Sequence, residues 1–197
     1  MKILEKLIVA SNNKNKIKEI KAILADYNIE VLSLEDINID IDVEETGTTF
    51  KENAYIKAKT IFDLVKIPVI GDDSGLEVEA LDNEPGIFSA RYAGLHKSDS
   101  DNVDKLIKNM DGVENKKARF VCSMALVISE DEEYIVEDYL YGEIIGERRG
   151  ENGFGYDPIF YLKDLDKTNA QLSADHKNSI SHRAKALKQI EKIVRER

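Results

Sequence analysis

Residues 70–75 read Ile-Gly-Asp-Asp-Ser-Gly, and the adjacent carboxylates Asp72 and Asp73 are what most limits how this chain can fold. They follow a short apolar run, Ile67-Pro68-Val69-Ile70, and precede the small pair Ser74-Gly75. An apolar run that ends in two acids and a turn predicts a strand carrying paired negative charge to the rim of a sheet, where open α/β sheets place their ligands. Neighbouring carboxylates repel each other, so folding them together calls for a cation nearby, commonly Mg²⁺.

The rest of the chain bounds what that charge can act on. With 197 residues there is enough chain for one large domain or two small lobes around a real core. A net charge of −10 argues against general DNA or RNA binding, which relies on Lys and Arg neutralising many phosphates. A small phosphorylated ligand needs only a local basic cluster. The single cysteine, Cys122, lies in an apolar run; it fits a reducing compartment and reads as a core residue. No segment approaches the roughly 20 apolar residues of a membrane-spanning helix. Residues 1–10 carry Glu5 and Lys6 where a secretion signal would be apolar, so they read as a first strand, and the expected location is the cytoplasm.

Periodicity predicts an α/β domain. Leu7-Ile8-Val9-Ala10 is a short buried strand, followed by a helix over 14–26 with Ile17, Ile20, Ile23 and Leu24 on one stripe. A second strand is expected at 31–34, then an acidic irregular stretch over 35–48. Thr49 with Glu52 forms a capping box that opens a helix to about Lys66. The strand ending at Asp72-Asp73 comes next. Residues 76–81 alternate and fit either a strand or a short helix. Pro85-Gly86 starts a long loop over 87–94, and a helix is expected over 101–110. Residues 119–128 and 134–145 are two long strands, paired antiparallel through a polar link. A glycine-rich loop holds Gly146, Gly150, Gly153 and Gly155, and a last helix is expected over 181–196. Strand–helix alternation followed by an antiparallel pair and a helix implies a mixed sheet.

Several constellations could carry chemistry. Ser11-Asn12-Asn13-Lys14-Asn15-Lys16 sits between a strand and a helix, where free N–H groups and the helix dipole attract anions. It lacks the glycines and the Gly-Lys-Ser/Thr ending of a Walker A loop. Glu44-Glu45-Thr46-Gly47 lies in irregular backbone that can bring a carboxylate to the Asp pair; Mg²⁺ uses only one or two protein carboxylates plus phosphate oxygens, so Glu44 with Asp73 would be sufficient. Asn53 and Lys57 share one helical face. In Gly153-Phe154-Gly155-Tyr156-Asp157-Pro158 the glycines expose a ring that can stack on a nucleobase. Lys177, Ser181, His182 and Arg183 precede or open the last helix, and a basic helix N-terminus is disfavoured by the dipole unless an anion compensates it.

Taken together and in this order, these runs resemble the inosine-triphosphate pyrophosphatase family, whose members are also called XTP/dITP diphosphatases. The matching runs include 10–16, 44–47, 50–57, 72–76, 85–92, 153–158 and 181–183, nearly the whole chain. The resemblance implies one elongated α/β domain over residues 1–197, with a mixed, curved central sheet flanked by helices and two lobes around a central cleft. It implies a homodimer and Mg²⁺-dependent hydrolysis of XTP, ITP and dITP to monophosphate and pyrophosphate. By the same resemblance Asp73 is the proton acceptor and a metal ligand, Glu44 is a second metal ligand, and Lys57 and Asp72 support catalysis. Ser11, Asn12, Asn13, Lys14, Asn15, Lys16 and Ser74 bind substrate, and Phe154, Gly155, Tyr156, Asp157, Lys177, His182 and Arg183 hold the purine and its surroundings. One departure is that many members begin the first loop Thr-Gly-Asn where this chain has Ser11-Asn12-Asn13. Either Asp72 or Asp73 could accept the water's proton on the residues alone. Two other readings are a related pyrophosphatase for pyrimidine or modified nucleotides, of the septum-formation-inhibitor type, and a nucleotide sensor without turnover.

Overall fold

The computed structural model describes residues 4–195. Its sheet has seven strands in the order β2-β1-β3-β4-β5-β6-β7. The strands are β1 (Lys6–Ala10), β2 (Glu30–Ser33), β3 (Val69–Val78), β4 (Lys117–Ser129), β5 (Glu132–Ile144), β6 (Phe160–Leu162) and β7 (Lys167–Thr168), and the helices are α1 (Lys14–Ile23), α2 (Phe50–Val65), α3 (Asp99–Asn109), α4 (Ala174–Ile180) and α5 (His182–Arg195). β1 pairs in parallel with β2 and with β3, whereas β5–β6 and β6–β7 are antiparallel. The mixed α/β sheet is therefore as expected. Two residues, Glu130 and Asp131, join the neighbouring strands β4 and β5, a link short enough only for an antiparallel pair.

Contacts divide the chain into two compact units. The first comprises Met1–Asp73, Cys122–Asp138 and His182–Arg197; the second comprises Ser74–Val121 and Tyr139–Ser181. In the first unit, Leu7, Ile8, Val9 and Ala10 are all buried, the continuous apolar run of a strand covered on both faces. One face packs Val9, Ile70, Cys122, Met124 and Leu126 against Ile20 and Leu24 of the α1 segment and Ala186, Leu187 and Ile190 of α5. The other packs Ile8, Ala10, Val69, Ala125 and Val127 against Ala54, Ala58, Ile61 and Phe62 of α2. The capping box at Thr49 is formed, and Lys66 ends the helix in the left-handed conformation, its N–H bonding Phe62 O at 2.8 Å. Gly71 lets α2 sit directly on the sheet, because a Cβ there would collide with the Ala54 carbonyl and stand 2.9 Å from Ala58 N. In the second unit, Leu76, Val78, Phe120, Leu140, Ile144 and Phe160 form a core with Val103, Leu106 and Met110 of the α3 segment.

The structure refines the expectations at four places. β3 does not end at Asp72-Asp73 but continues to Val78, so both acids lie inside a strand rather than at its rim. Residues 76–81 are both alternatives in sequence, strand to Val78 and then a 3-10 turn over Glu79–Leu81. The 87–94 loop contains a 3-10 segment, Gly86–Arg91, and the last helix is preceded by the unforeseen α4. Glu196, the expected end of that helix, and residues 1–3 of the expected first strand lie outside the described residues. Among the described residues no helix is long and apolar enough to cross a membrane.

Candidate active site

Consecutive strand residues point to opposite faces. Asp72 and Asp73 therefore part company: Asp72 shares the face of Ile70 beneath α1 and α5, and Asp73 shares the face of Val69 beneath α2.

Asp72 is fully buried and neutralised. Arg183 Nε donates to its Oδ2 at 2.9 Å and Nη2 to Oδ1 at 3.4 Å; Lys16 Nζ is 2.8 Å from Oδ1, and Cys122 Sγ donates to Oδ2 at 3.3 Å. The Arg183 Nη1 group is paired with Glu19 of α1. Burial alone would raise the pKa of Asp72, but the charges of Arg183 and Lys16 overcome it and hold the carboxyl well below its usual range. Burial opposes the charge on Arg183 too, and Asp72 and Glu19 restore it, so its proton is held more tightly than usual. The anion implied by a basic helix N-terminus is thus supplied by the chain's own carboxylates. Burial, with the Asp72 charge beside it, pushes the Cys122 thiol well above its ordinary pKa.

Asp73 is buried but poorly compensated. Lys57 Nζ stands 3.5 Å from Oδ1, and among the described residues Oδ2 has no hydrogen-bond partner. Burial raises its pKa above the usual carboxylate value, only partly opposed by Lys57 and Lys16. Lys57 itself is shared with Glu45, 2.8 Å away; burial disfavours its charge, but Asp73 and Glu45 more than offset that. Lys57 and Asn53, four apart on α2, are both buried on the face that meets Asp73. Asn53 Oδ1 accepts the Gly47 N–H at 2.8 Å, and Glu52 accepts the N–H groups of Thr48 and Thr49, which ties the end of the acidic segment to α2. Glu44 is exposed, and it is Glu45 that turns toward Lys57.

The first loop is organised around its own side chains. Asn13 caps α1 by accepting from Asn15 N and Lys16 N, and Ser11 Oγ accepts from Asn13 N at 3.1 Å. Asn12 donates to Ile41 O at 3.0 Å and to Asp42 Oδ1 at 3.4 Å, fastening this loop to the acidic segment. Lys14 and Asn15 are exposed, while Lys16 is drawn in by Asp72.

In the second unit the glycine-flanked aromatic run surrounds Asp157. Its Oδ2 accepts from Lys177 Nζ at 2.6 Å and from Phe154 N at 2.9 Å, and its Oδ1 accepts from Asn169 Nδ2 at 3.1 Å. Lys177 Nζ lies 4.7 Å from the centroid of the half-buried Phe154 ring. Gly155, at φ 59°, turns its N–H to Asp99 at 2.9 Å. Tyr156 belongs to the core, its hydroxyl donating to Ser89 O at 2.8 Å. Ser74 is half-buried on β3.

The structure thus gathers Lys16, Lys57, Asp72, Asp73 and Arg183 in the first unit and Phe154, Asp157 and Lys177 in the second. His182 is buried at the start of α5, next to the committed Arg183. Sequence reasoning missed Glu19, Glu45 and Asn169. Glu19 had a signal, an acid one turn after Lys16 on the same helix; Asn169 had none.

A metal would find a two-carboxylate donor set on the α2 side: the buried, unbonded Asp73 Oδ2, and Glu45 beside the shared Lys57. Such a set suits Mg²⁺, which completes its shell with water and phosphate oxygens.

Comparison with known proteins bears on the family and the fold. The model of the Ham1 family matches residues 7–193. A Bacillus subtilis protein named dITP/XTP pyrophosphatase is 46% identical over 196 residues, covering 98% of this chain and 99% of its own. One of the same name from Clostridium tetani is 44% identical, covering 96% of each chain. The solved Ham1 protein of Staphylococcus aureus superposes with a TM-score of 0.87 at 44% identity, covering 98% of this chain and 99% of its own. A HAM1 protein from Coxiella burnetii gives 0.89 at 38% identity, covering 98% and 100%. With the family's pattern matched over residues 7–193 and solved members superposing over 98% of its length, this chain belongs to the Ham1 family.

Proposed function

We propose that this chain, a nucleoside-triphosphate pyrophosphatase, hydrolyses the deaminated purine nucleoside triphosphates XTP, ITP and dITP to the monophosphate and pyrophosphate. It would work with Mg²⁺, as a cytoplasmic homodimer, to cleanse the nucleotide pool. The observation that carries this reading is the inequality of the two acids: one carboxylate is neutralised, and its neighbour is left buried with a raised pKa and an unbonded oxygen.

The roles follow from that inequality. Asp73 accepts the proton of the attacking water as the bond between the α and β phosphoryl groups breaks; a raised pKa makes it a better acceptor than an ordinary carboxylate. Asp72 is held ionised by Arg183 and Lys16, so it anchors the lysine rather than taking the proton. Lys16 and Lys57 share the negative charge of the triphosphate. Mg²⁺ would be held by Asp73 with an acid of the Glu44-Glu45 pair, Glu45 being the one that already faces Lys57, and when bound it neutralises phosphate charge and lowers the pKa of water.

Base choice rests on donors. Inosine and xanthine bases present a 6-oxo acceptor where adenine presents an amino group. The Lys177 ammonium, paired with Asp157 beside the Phe154 ring, can give a further hydrogen bond to the first, and an adenine amino group offers it no acceptor there, a loss of about 1–3 kcal/mol. The Arg183 guanidinium, expected to serve the base, is committed to Asp72 and Glu19.

The test is pyrophosphate release from ITP, XTP, dITP, GTP and ATP, with Mg²⁺ and with a chelator, for the wild type and Asp73→Asn. Rapid Mg²⁺-dependent turnover of the deaminated substrates, abolished in the variant, is expected. Equal hydrolysis of ATP and ITP would sink the selectivity argument, and a fully active Asp73→Asn would sink the role of Asp73.

A further inference from the structure

Asn169 lies in the short 3-10 turn Asn169–Gln171, is fully buried, and uses its Nδ2 on Asp157 Oδ1 at 3.1 Å. Its own Oδ1 has no hydrogen-bond partner among the described residues. A buried amide with an orphaned acceptor is a costly way to fill space; a leucine of similar size would fill it without that cost. What leucine lacks is the donor to Asp157.

That donor acts where a choice has to be made. The terminal torsion of an aspartate is broad, so the plane of the Asp157 carboxylate can turn unless donors on both oxygens fix it. Asn169 occupies Oδ1, which leaves Oδ2 for the Lys177 ammonium and the Phe154 N–H together. Gly153, at φ 78°, makes room for that orientation, since a Cβ there would collide with Oδ2. The turn carrying Asn169 is itself fastened: Thr168 Oγ1 donates to Arg149 O at 2.6 Å, Asn152 N to Ala170 O at 3.0 Å, and Asn152 Nδ2 to Leu172 O at 2.9 Å. A fastened donor therefore sets the carboxylate, and the carboxylate sets both the lysine and the backbone of the half-buried ring.

We propose that Asn169 is a positioning residue for base recognition, acting through Asp157 to hold Lys177 and Phe154 in the geometry that discriminates a 6-oxo purine. This rests on the proposed reading of Phe154 and Lys177 as the base-facing groups. Without the donor, the Asp157 carboxylate can tilt, Lys177 follows it, and the ammonium no longer presents its protons at a fixed place. The phosphate-facing residues of the first unit are untouched.

The test compares the wild type with Asn169→Leu and Asn169→Ser in the full chain. Readouts are kcat and KM for ITP, kcat/KM for ATP, inhibition by tripolyphosphate, which has no base, and the thermal midpoint. For Asn169→Leu the expected result is a KM for ITP raised about tenfold, with kcat at saturation changed by less than about threefold, and an ITP-to-ATP preference reduced by a similar factor. Tripolyphosphate inhibition should be unchanged. Asn169→Ser, which keeps a donor, should recover part of the preference, and it serves as the primary variant if the leucine chain does not fold. An unaltered KM and preference in either folded variant would overturn the proposal, as would equal weakening toward ITP and tripolyphosphate. A wild type that does not distinguish ITP from ATP would instead remove the underlying assignment of the base site, a separate failure visible before any variant is made.

Discussion

The two faces of β3 treat chemically identical neighbours in opposite ways. Under α1 and α5, Asp72 is enclosed by Arg183, Lys16 and Cys122 and is held ionised. Under α2, Asp73 meets one lysine at 3.5 Å, keeps an unbonded oxygen, and holds its proton more readily than an ordinary aspartate. The contrast separates a carboxylate held in a network of cations from one left available for the proposed chemistry. It also explains how adjacent acids are accommodated in one strand: each face brings its own cations, and alternation keeps the charges apart.

The largest expected effect lies on the α2 face. Asp73→Asn should lower kcat/KM for ITP by about 10²–10⁴-fold, the usual contribution of a general base, while the thermal midpoint stays level or rises. Steady-state kinetics with a melting curve on one preparation checks both halves. If the variant loses activity and stability together, the two faces do not differ as described. Next comes Asp72→Asn, which strips the counter-charge from a buried arginine and should cost about 3–5 kcal/mol of unfolding free energy in urea titration. A cost as small as that of an exposed residue would mean Arg183 is neutralised by Glu19 alone. Gly71→Ala comes third: its methyl group would push α2 away from the sheet, at about 1–3 kcal/mol, and displace Lys57 from Asp73 but leave the Asp72 network in place. An unchanged kcat in that variant would show that the closeness of α2 is not needed.

The smallest effect concerns pH. A carboxyl whose folded pKa is raised contributes stability that is present below the unfolded value and lost as pH rises through the folded one. One whose folded pKa is depressed contributes stability above the unfolded value, near 3.9, that is lost as pH falls toward the folded one. Asp73→Asn should therefore gain stability over the wild type as pH rises from about 4 to neutrality, and Asp72→Asn should lose most of its deficit as pH falls below about 4. Urea unfolding at a series of pH values reads both slopes. Parallel slopes would erase the distinction between the faces.

Much of this architecture was legible in the residues. The capping box at Thr49 and Glu52, the apolar stripe of Ile20 and Leu24, and the long pair over β4 and β5 each announce themselves through local periodicity. The end of β3 was misread because Gly71, Ser74 and Gly75 look like turn residues. Gly71 is instead small to admit α2, a packing need that no local pattern reveals. Glu45 and Glu44 were indistinguishable in sequence, because which of two adjacent acids turns inward depends on irregular backbone fastened through Asn53 and Gly47. Cys122 was expected as plain core and is core, yet it also donates to Asp72 from 50 positions away. Arg183 with Glu19, 164 residues apart, is likewise a product of tertiary packing alone.

The parallel pairing that sets Ala10 beside Gly71 has an outcome for the reliability of folding. A strand displaced by a single position presents every side chain to the wrong side. For β3 such a slip would trade the acids, putting the residue proposed for proton transfer among the arginine and cysteine and its neighbour under α2. It would also press a side chain into the gap that Gly71 keeps open, so the misregistered chain is rejected on steric grounds. The glycine next to the acids thus acts as a proofreader, admitting only the alignment in which each carboxylate meets its own surroundings.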